Sequence, residues 1–78
     1  MKHIIKIETR FHERILTGQK RFEVRKNDRD YQVGDVLEFR SVDDKTVLRG
    51  HNYRIVYVHN GLGMQQEYVV LGIVEDVQ

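Results

Sequence analysis

The segment Gly18-Gln19-Lys20-Arg21-Phe22-Glu23-Val24-Arg25 marks the end of a helix and the start of a strand, and this junction decides the fold. A polar run, Lys26-Asn27-Asp28-Arg29-Asp30, follows it directly. Gly18 suits the left-handed conformation that commonly follows a helix end. So dense a mixture of cations and acids at a helix-to-strand junction can bind a polar ligand that has both donors and acceptors.

A strand and a short helix are predicted before the junction. Residues 3–8 alternate in polarity, so that Ile5 and Ile7 share one face of a strand. Thr9 is suited to cap a helix over residues 10–17, because its hydroxyl can accept a hydrogen bond from a first-turn N–H. The apolar stripe of this helix consists of Phe11, Ile15 and Leu16.

Four further strands are predicted after the helix, over residues 20–26, 35–42, 46–59 and 67–75. Alternation assigns these side chains to the inward faces: Phe22 and Val24, then Leu37 and Phe39, then Tyr53, Ile55 and Tyr57. A turn is predicted at residues 43–45, an interruption of the fourth strand near Gly50, and a loop at residues 60–63. One short helix and about five strands predict an α+β, mostly β fold, a small and mostly antiparallel β-barrel with the helix after the first strand.

Composition limits the classes of protein that the chain can represent. Its 78 residues suit a single domain, residues 1–78, with a thin core and room for one site. Cysteine is absent, which excludes disulfides, thiolate zinc sites and thiol nucleophiles. The first residues contain no apolar run long enough for a signal peptide, and no segment has the composition of a membrane span. We therefore expect a cytoplasmic protein that does not bind a membrane.

Charge is unevenly distributed along the chain. Residues 1–30 hold nine Lys and Arg and five Asp and Glu, a net charge of +4. Residues 31–78 hold four Lys and Arg and seven Asp and Glu, a net charge of −3. A basic half can bind an anionic partner even when the whole chain is close to neutral. Folding can equally mix the two halves in space, and the sequence leaves both possibilities open.

A short motif and three blocks of sequence carry a resemblance to a known family. Gly18, Lys20, Glu23 and Arg25 match the motif G-x-K-x-x-E-x-R. The three blocks are residues 22–30, Val33-Gly34-Asp35 and residues 67–73. With these blocks in order, the chain from His3 to Ile73 resembles the ASCH domains, which are small β-barrels of the PUA-like superfamily. Within that superfamily it is most similar to a short, uncharacterised domain-of-unknown-function group of bacteria and phages.

The resemblance implies that RNA or a nucleotide binds in a cleft beside the helix. Some ASCH proteins are enzymes, among them ribonucleases and an amidohydrolase that deacetylates N4-acetylcytidine. The amidohydrolase uses the Lys of the motif, a Thr nucleophile at the Glu position and a Glu in a helical insertion. This chain keeps Lys20, but it has Glu23 at the Thr position, and its connection at residues 59–66 is too short for the insertion.

We therefore expect an RNA- or nucleotide-binding module, with no catalytic residue assigned. Two alternatives stay open. The first is a small hydrolase acting on modified nucleosides or RNA, in which Lys20 and Glu23 would be the catalytic residues. The second is a protein-interaction module whose charged strand meets a protein partner. Fold-level analogy alone does not decide among them.

The candidate ligand-binding residues are Lys20, Glu23, Arg25, Lys26, Arg29 and Tyr68. Arg25 offers a planar fork of donors that matches phosphate. Glu23 can orient Arg25 or accept hydrogen bonds from a base edge. A structural ion pair with Arg21 and Arg25 is the competing interpretation. Lys20 shares a site with Glu23 only if the strand begins after Lys20 or bulges there, and Tyr68 can stack on a base.

No metal or cofactor is expected. The four histidines, His3, His12, His51 and His59, have spacings that fit no known ligand pattern. Gly61-Leu62-Gly63 is too short for a phosphate-binding loop, and it does not open a helix.

Overall fold

A computed structural model of the chain describes residues 1–42 and 52–76. The elements are β1 (Lys2–Ile7), α1 (Thr9–Leu16), β2 (Phe22–Lys26), β3 (Val36–Ser41), β4 (Asn52–His59) and β5 (Tyr68–Glu75). The predicted turn at residues 43–45, the interruption near Gly50 and residues 46–51 of the predicted fourth strand lie outside the described residues. Within the described ranges, no helix is long and apolar enough to cross a membrane.

The five strands form one sheet in the order β1-β3-β4-β5-β2. β1 pairs with β3 in parallel, and the other three pairings are antiparallel. The sheet curls into a half-barrel, which confirms the small, mostly β fold with one short helix after the first strand. β1 and β2 are the first and last strands in this order, so each has an edge that does not pair within the described sheet.

The core lies on the concave side of the sheet and under the helix. Buried side chains alternate with exposed ones along β1, β3 and β5, as the period of two predicts. The buried apolar side chains include Ile5, Ile7, Ile15, Leu37, Phe39, Ile55, Val69, Leu71 and Ile73. The inward faces predicted for β1 and β3 are thus confirmed, whereas Phe11 on the helix is only partly buried.

The inward face predicted for β2 is wrong. Phe22 and Val24 are 46% and 45% exposed, whereas Glu23 between them is 5% exposed. The reason is the register with β5, in which Glu23 lies opposite Leu71, a fully buried residue. Opposed residues of an antiparallel pair share a face, so the core position of Leu71 turns Glu23 inward.

Tyr57 also faces away from the core, against expectation. The register between β4 and β5 shifts between Ile55 and Tyr57, because Val56 is an extra residue without a partner. A bulge of this kind moves the following side chains to the opposite face. Tyr57 is therefore 63% exposed, and Val58, predicted to point outward, packs against the core.

The helix α1 connects β1 to β2, and its two ends differ from each other in how well the sequence predicted them. Thr9 is the first helical residue, and the cap position is Glu8, which makes no capping hydrogen bond through its side chain, so the predicted Thr9 cap is wrong. At the other end Gly18 has φ of 80°, the left-handed conformation predicted for it. Its N–H donates to the carbonyl of Ile15, and the chain then turns back toward β2.

Candidate functional site

Two arginine side chains, Arg25 on β2 and Arg29 in the loop after it, reach across to β1, with which β2 does not pair in the described sheet. Nη1 of Arg25 donates to the carbonyl oxygen of Lys6 at 3.0 Å, and Nη1 of Arg29 donates to that of Ile4 at 2.9 Å. We call this bridged gap the seam. A guanidinium has five N–H donors, so each arginine keeps donors that a ligand can use.

A cleft of about 580 Å³ lies along the seam, and its charged lining is entirely cationic. Lys6, Arg25, Arg29 and Arg40 line it, together with Ile4, Ser41 and Val42. Arg40 pairs with Glu38 at 3.0 Å. Among the described residues, Lys6, Arg25 and Arg29 form no ion pair with a carboxylate. Within the described residues no carboxylate offsets their charge, and this favours an anion in the cleft.

A second pocket, of about 260 Å³, adjoins the cleft and shares Lys6, Arg25 and Val42 with it. Glu23 lines this pocket, and its side chain is only 7% exposed. Its Oε1 accepts hydrogen bonds from Nζ of Lys20 at 3.1 Å and from the Val24 N–H at 3.2 Å. Its Oε2 is buried and has no hydrogen-bond partner in the part of the chain that the structure describes. A ligand donor in this pocket would satisfy it.

Lys20 lies just before β2, and this placement lets it meet Glu23. Its main-chain N–H donates to the carbonyl of Arg14, which fixes the turn after the helix. Its ammonium is 4.7 Å from the ring centroid of Phe11 and 5.5 Å from that of Phe22. The strand begins after Lys20, which is one of the two arrangements that the sequence required for a shared site.

Tyr31 is a buried residue whose phenol is influenced by Arg25 and Arg29. Tyr31 is 4% exposed, and its ring centroid lies 4.8 Å from that of His3. Burial raises the pKa of Tyr31 above its ordinary value of 10.0, although the charges of Arg25 and Arg29 and a hydrogen bond with Arg25 act to lower it. The phenol is therefore neutral at physiological pH.

The structure separates the six predicted site residues into two groups. Lys20, Glu23, Arg25 and Arg29 lie at or beside the seam. Lys26 and Tyr68 face each other in the pairing of β2 with β5, on the outer face of the sheet. The expected contact of Glu23 with Arg25 is not formed among the described residues, because Glu23 pairs with Lys20 and Arg25 reaches to β1.

Two residues of the cleft were not expected from the sequence, Lys6 and Arg40. They lie side by side because β1 and β3 pair in parallel with Lys6 opposite Arg40. Like charges on neighbouring strands repel each other, and the pairing of Arg40 with Glu38 offsets part of this repulsion. Alternation placed Lys6 on the face opposite Ile5 and Ile7, but nothing in the sequence showed which strand would lie next to it.

The histidines of the described ranges serve the fold. Nε2 of His3 lies 2.8 Å from Oδ2 of Asp35, Nδ1 of His12 lies 2.9 Å from Oγ of Ser41, and Nε2 of His59 lies 2.9 Å from the Leu62 carbonyl. No group of three or more His, Cys, Asp or Glu among residues 1–42 and 52–76 could hold a metal ion. His51 lies outside the described residues.

The fold and the seam together define a small half-barrel domain with a cationic cleft along the seam and a smaller adjoining pocket that reaches Phe11 of the helix. The chain belongs to the family described as a domain of unknown function, DUF3850, whose family model matches residues 2–73. This match agrees with the uncharacterised group expected from the three blocks of sequence. No curated protein matches the sequence.

Proposed function

We propose that the protein binds RNA or a nucleotide-like ligand along the seam. The observation that supports this most strongly is the pairing of two unlike subsites that share Lys6 and Arg25. One subsite is a cleft lined by four cations, and the other contains a buried carboxylate oxygen without a described partner. A nucleotide carries both complements, because its phosphate is an anion and its base edge carries N–H donors.

The cations are suited to phosphate in different ways. Arg25 and Arg29 are held in place by β1 carbonyls, so little side-chain freedom is lost when they bind. Their guanidinium forks can donate two parallel hydrogen bonds to one phosphate. Lys6 adds a compact positive charge on a flexible side chain, which can turn toward any of the phosphate oxygens.

Glu23 is better suited to accept a hydrogen bond from a ligand than to act as a catalytic base. Lys20 and the Val24 N–H occupy one of its oxygens, the other oxygen has no described partner, and the side chain lines the small pocket. An acceptor at this position selects for a group that donates a hydrogen bond, such as an exocyclic amino group of a base. A ligand without a donor would leave the buried oxygen unpaired, and that costs affinity.

The motif supports placing the chain with the ASCH domains of the PUA-like superfamily. Lys20 and Glu23 of G-x-K-x-x-E-x-R are paired, and Glu23 and Arg25 line a pocket next to the helix. The resemblance implies that RNA or a nucleotide binds beside the helix, where this small pocket lies. The departures at Glu23 and in the short connection before β5 favour binding over the amidohydrolase reaction.

The test is a binding assay combined with a search for products. Labelled single-stranded RNA is titrated with the protein, and fluorescence anisotropy reports binding. Parallel incubations with RNA and with N4-acetylcytidine are analysed by chromatography. We expect a complex and no product, and we expect Arg25→Ala to weaken the complex. Arg54→Ala is the matched control, because Arg54 lies away from the seam and pairs with Asp76 at 2.7 Å.

Three results would redirect the proposal. Turnover that disappears in Lys20→Ala would make the protein a hydrolase. RNA binding that Arg25→Ala and Arg54→Ala weaken equally would remove the seam as the binding surface. Failure to bind RNA or any nucleotide would leave a protein-interaction module as the better account.

A further inference from the structure

The outer face of β2, β4 and β5 exposes three aromatic rings to solvent. Phe22 is 46% exposed, Tyr57 63% and Tyr68 37%. Val24 and Val70 lie between them on the same face, opposite each other in the pairing of β2 with β5. We call these five residues the aromatic face. Phe22 on β2 and Tyr57 on β4 belong to the aromatic face, although the sequence predicted that both would point into the core.

Phe22 and Tyr57 flank a glycine. Gly72 on β5 lies opposite Phe22 on one side and opposite Tyr57 on the other. Strands are about 4.8 Å apart, so the Cα atoms of Phe22 and Tyr57 are separated by about 9–10 Å. A Cβ atom at position 72 would lie 3.2 Å from Cβ of Tyr57, closer than side chains pack comfortably. The glycine therefore keeps bare backbone between two exposed rings, where a flat group can lie.

The bulge in β4 is what brings Tyr57 to this face. With regular alternation Tyr57 would share the buried face of Tyr53 and Ile55, and the extra residue Val56 reverses it. Bulges often redirect side chains next to functional sites. A departure from local pattern that costs buried apolar area is expected where function requires it. Two such departures converge on one face here, in β2 and in β4.

Positive charge lies at two places along the aromatic face. Lys20 has its ammonium 5.5 Å from the ring centroid of Phe22, where it also pairs with Glu23 at 3.1 Å. Lys26 is exposed and lies opposite Tyr68. Rings interleaved with lysines match a ligand that is flat and apolar on its faces and anionic along its backbone. A second copy of this chain would bring the same lysines to the contact, so it is the poorer complement.

We propose that the aromatic face is a stacking platform for single-stranded RNA that leaves the seam across β2. This inference rests on the proposed function of the seam and specifies its ligand as a strand of several nucleotides. β2 separates the two surfaces by its own width, since Glu23 and Arg25 line the seam pockets while Phe22 and Val24 face outward. A strand with one phosphate at Arg25 can therefore pass over the edge of β2, and its next bases reach the rings.

The dimensions of the aromatic face predict how many RNA nucleotides the protein contacts. Gly72, Val70 and Tyr68 follow one another at alternate positions of β5, so the Phe22 and Tyr68 rows are about 13 Å apart. That distance gives room for a base at the Phe22–Tyr57 pair and another at Tyr68. Together with the nucleotide in the seam, a strand of at least three nucleotides would contact the protein.

The experiment compares a uridine hexamer with uridine monophosphate in wild type and in surface variants. Phe22→Ser and Tyr57→Ser remove a ring, and Tyr57→Phe keeps it without the hydroxyl. Leu62→Ser is the matched control, because Leu62 is an exposed apolar residue, 91% accessible, in the loop before β5. Melting temperatures confirm that each variant is folded.

Loss of one stacked base should weaken hexamer binding by roughly tenfold. We expect this loss in both serine variants, less than a twofold change in Tyr57→Phe and Leu62→Ser, and no change in the affinity for uridine monophosphate. Unchanged hexamer affinity in both folded serine variants would overturn the platform. So would a hexamer that binds no more tightly than the monophosphate.

Comparing the ring variants with Arg25→Ala distinguishes failure of the platform proposal from failure of the seam proposal. Hexamer binding that is lost in Arg25→Ala but insensitive to the ring variants removes the platform and leaves the seam proposal standing. Binding lost in the ring variants but insensitive to Arg25→Ala removes the seam and leaves a platform that acts alone, which contradicts the path across β2. If the wild type binds neither probe, both proposals are wrong, and a protein partner becomes the occupant to test.

Discussion

The guanidinium of Arg25 on β2 donates a hydrogen bond to the main-chain oxygen of Lys6 on β1, across 3.0 Å between strands that do not pair. Side chains thereby bridge a gap that backbone hydrogen bonds leave open. An edge of this kind is normally protected from other strands by charge. Here the protecting charges are also the lining of a cleft, so the same residues cover the edge and can bind an anion.

The inward orientation of Phe39 and the outward orientation of Phe22 can be tested by their effects on stability. Phe39 is 2% exposed, so Phe39→Ala should lower the free energy of unfolding by about 3–5 kcal/mol. Phe22 is 46% exposed, so Phe22→Ala should cost no more than about 1.5 kcal/mol. Urea unfolding followed by circular dichroism measures both. Equal losses in the two variants would mean that the outward orientation of β2 is wrong.

The strength of the Lys20–Glu23 contact can be measured with a double-mutant cycle. The side chains are 16% and 7% exposed, so Lys20→Met leaves a largely buried carboxylate without its cation. We expect Lys20→Met to cost about 2–3 kcal/mol at neutral pH. Adding Glu23→Leu should recover part of that loss, with a coupling energy of about 1–2 kcal/mol.

The Lys2–Glu38 pair is the control for this cycle. Its side chains are 50% and 29% exposed at a similar separation of 3.2 Å. Exposed pairs contribute about 0–1 kcal/mol, so its coupling energy should be clearly smaller. Additive effects at Lys20 and Glu23, within about 0.5 kcal/mol, would show that the buried contact contributes nothing specific.

Asp35 should make the protein sensitive to acid. A hydrogen bond from His3 is the largest cause that lowers the Asp35 pKa, and it outweighs burial, which raises the pKa. A lowered pKa in the folded state stabilises the fold above the ordinary aspartate pKa of about 3.9. That stability is lost as the pH falls below about 4 toward the lowered value.

Unfolding measured between pH 7 and pH 2 tests this assignment. Asp35→Asn should be less stable than wild type at pH 7, and the two should converge at low pH. Part of the acid dependence will persist, because hydrogen bonds from Lys2 and Arg40 also lower the pKa of Glu38. Asp28→Asn, at an exposed position, is the control. A constant difference between Asp35→Asn and wild type at every pH would refute the coupling with His3.

Local pattern was sufficient for β1 and β3, in which buried side chains alternate with more exposed ones. Ile5 and Ile7 in β1, and Leu37 and Phe39 in β3, alternate strictly, and their burial follows. It failed in β2, because the partner residue Leu71 decides which side of that strand faces inward. A charged residue opposite a buried leucine is a property of the pairing, which a single strand does not encode.

The candidate site was likewise predictable only in part. The motif brought Lys20 and Glu23 together, since both lie within one turn and the strand that follows it. Lys6 and Arg40 could not be anticipated, because their proximity depends on the parallel pairing of β1 with β3. The exposure of Tyr57 depends on a β-bulge, and no residue type in β4 predicts a bulge at that position.

Salt dependence tests the central claim, that the seam binds phosphate. Each phosphate contact on a single strand contributes about −0.7 to the slope of log K against log salt. For two to four contacts at Lys6, Arg25, Arg29 and Arg40, the slope should be about −1.4 to −2.8. Glu23→Gln should weaken binding and leave the slope unchanged, because it alters no cation.

The most direct measurement is a salt titration of RNA affinity in wild type, Arg25→Ala and Arg54→Ala, followed by anisotropy. We predict that Arg25→Ala weakens binding and makes the slope shallower by about 0.7, the share of one phosphate contact, whereas Arg54→Ala leaves both unchanged. Affinity that does not vary with salt, or equal losses in the two variants, would contradict the account of the seam.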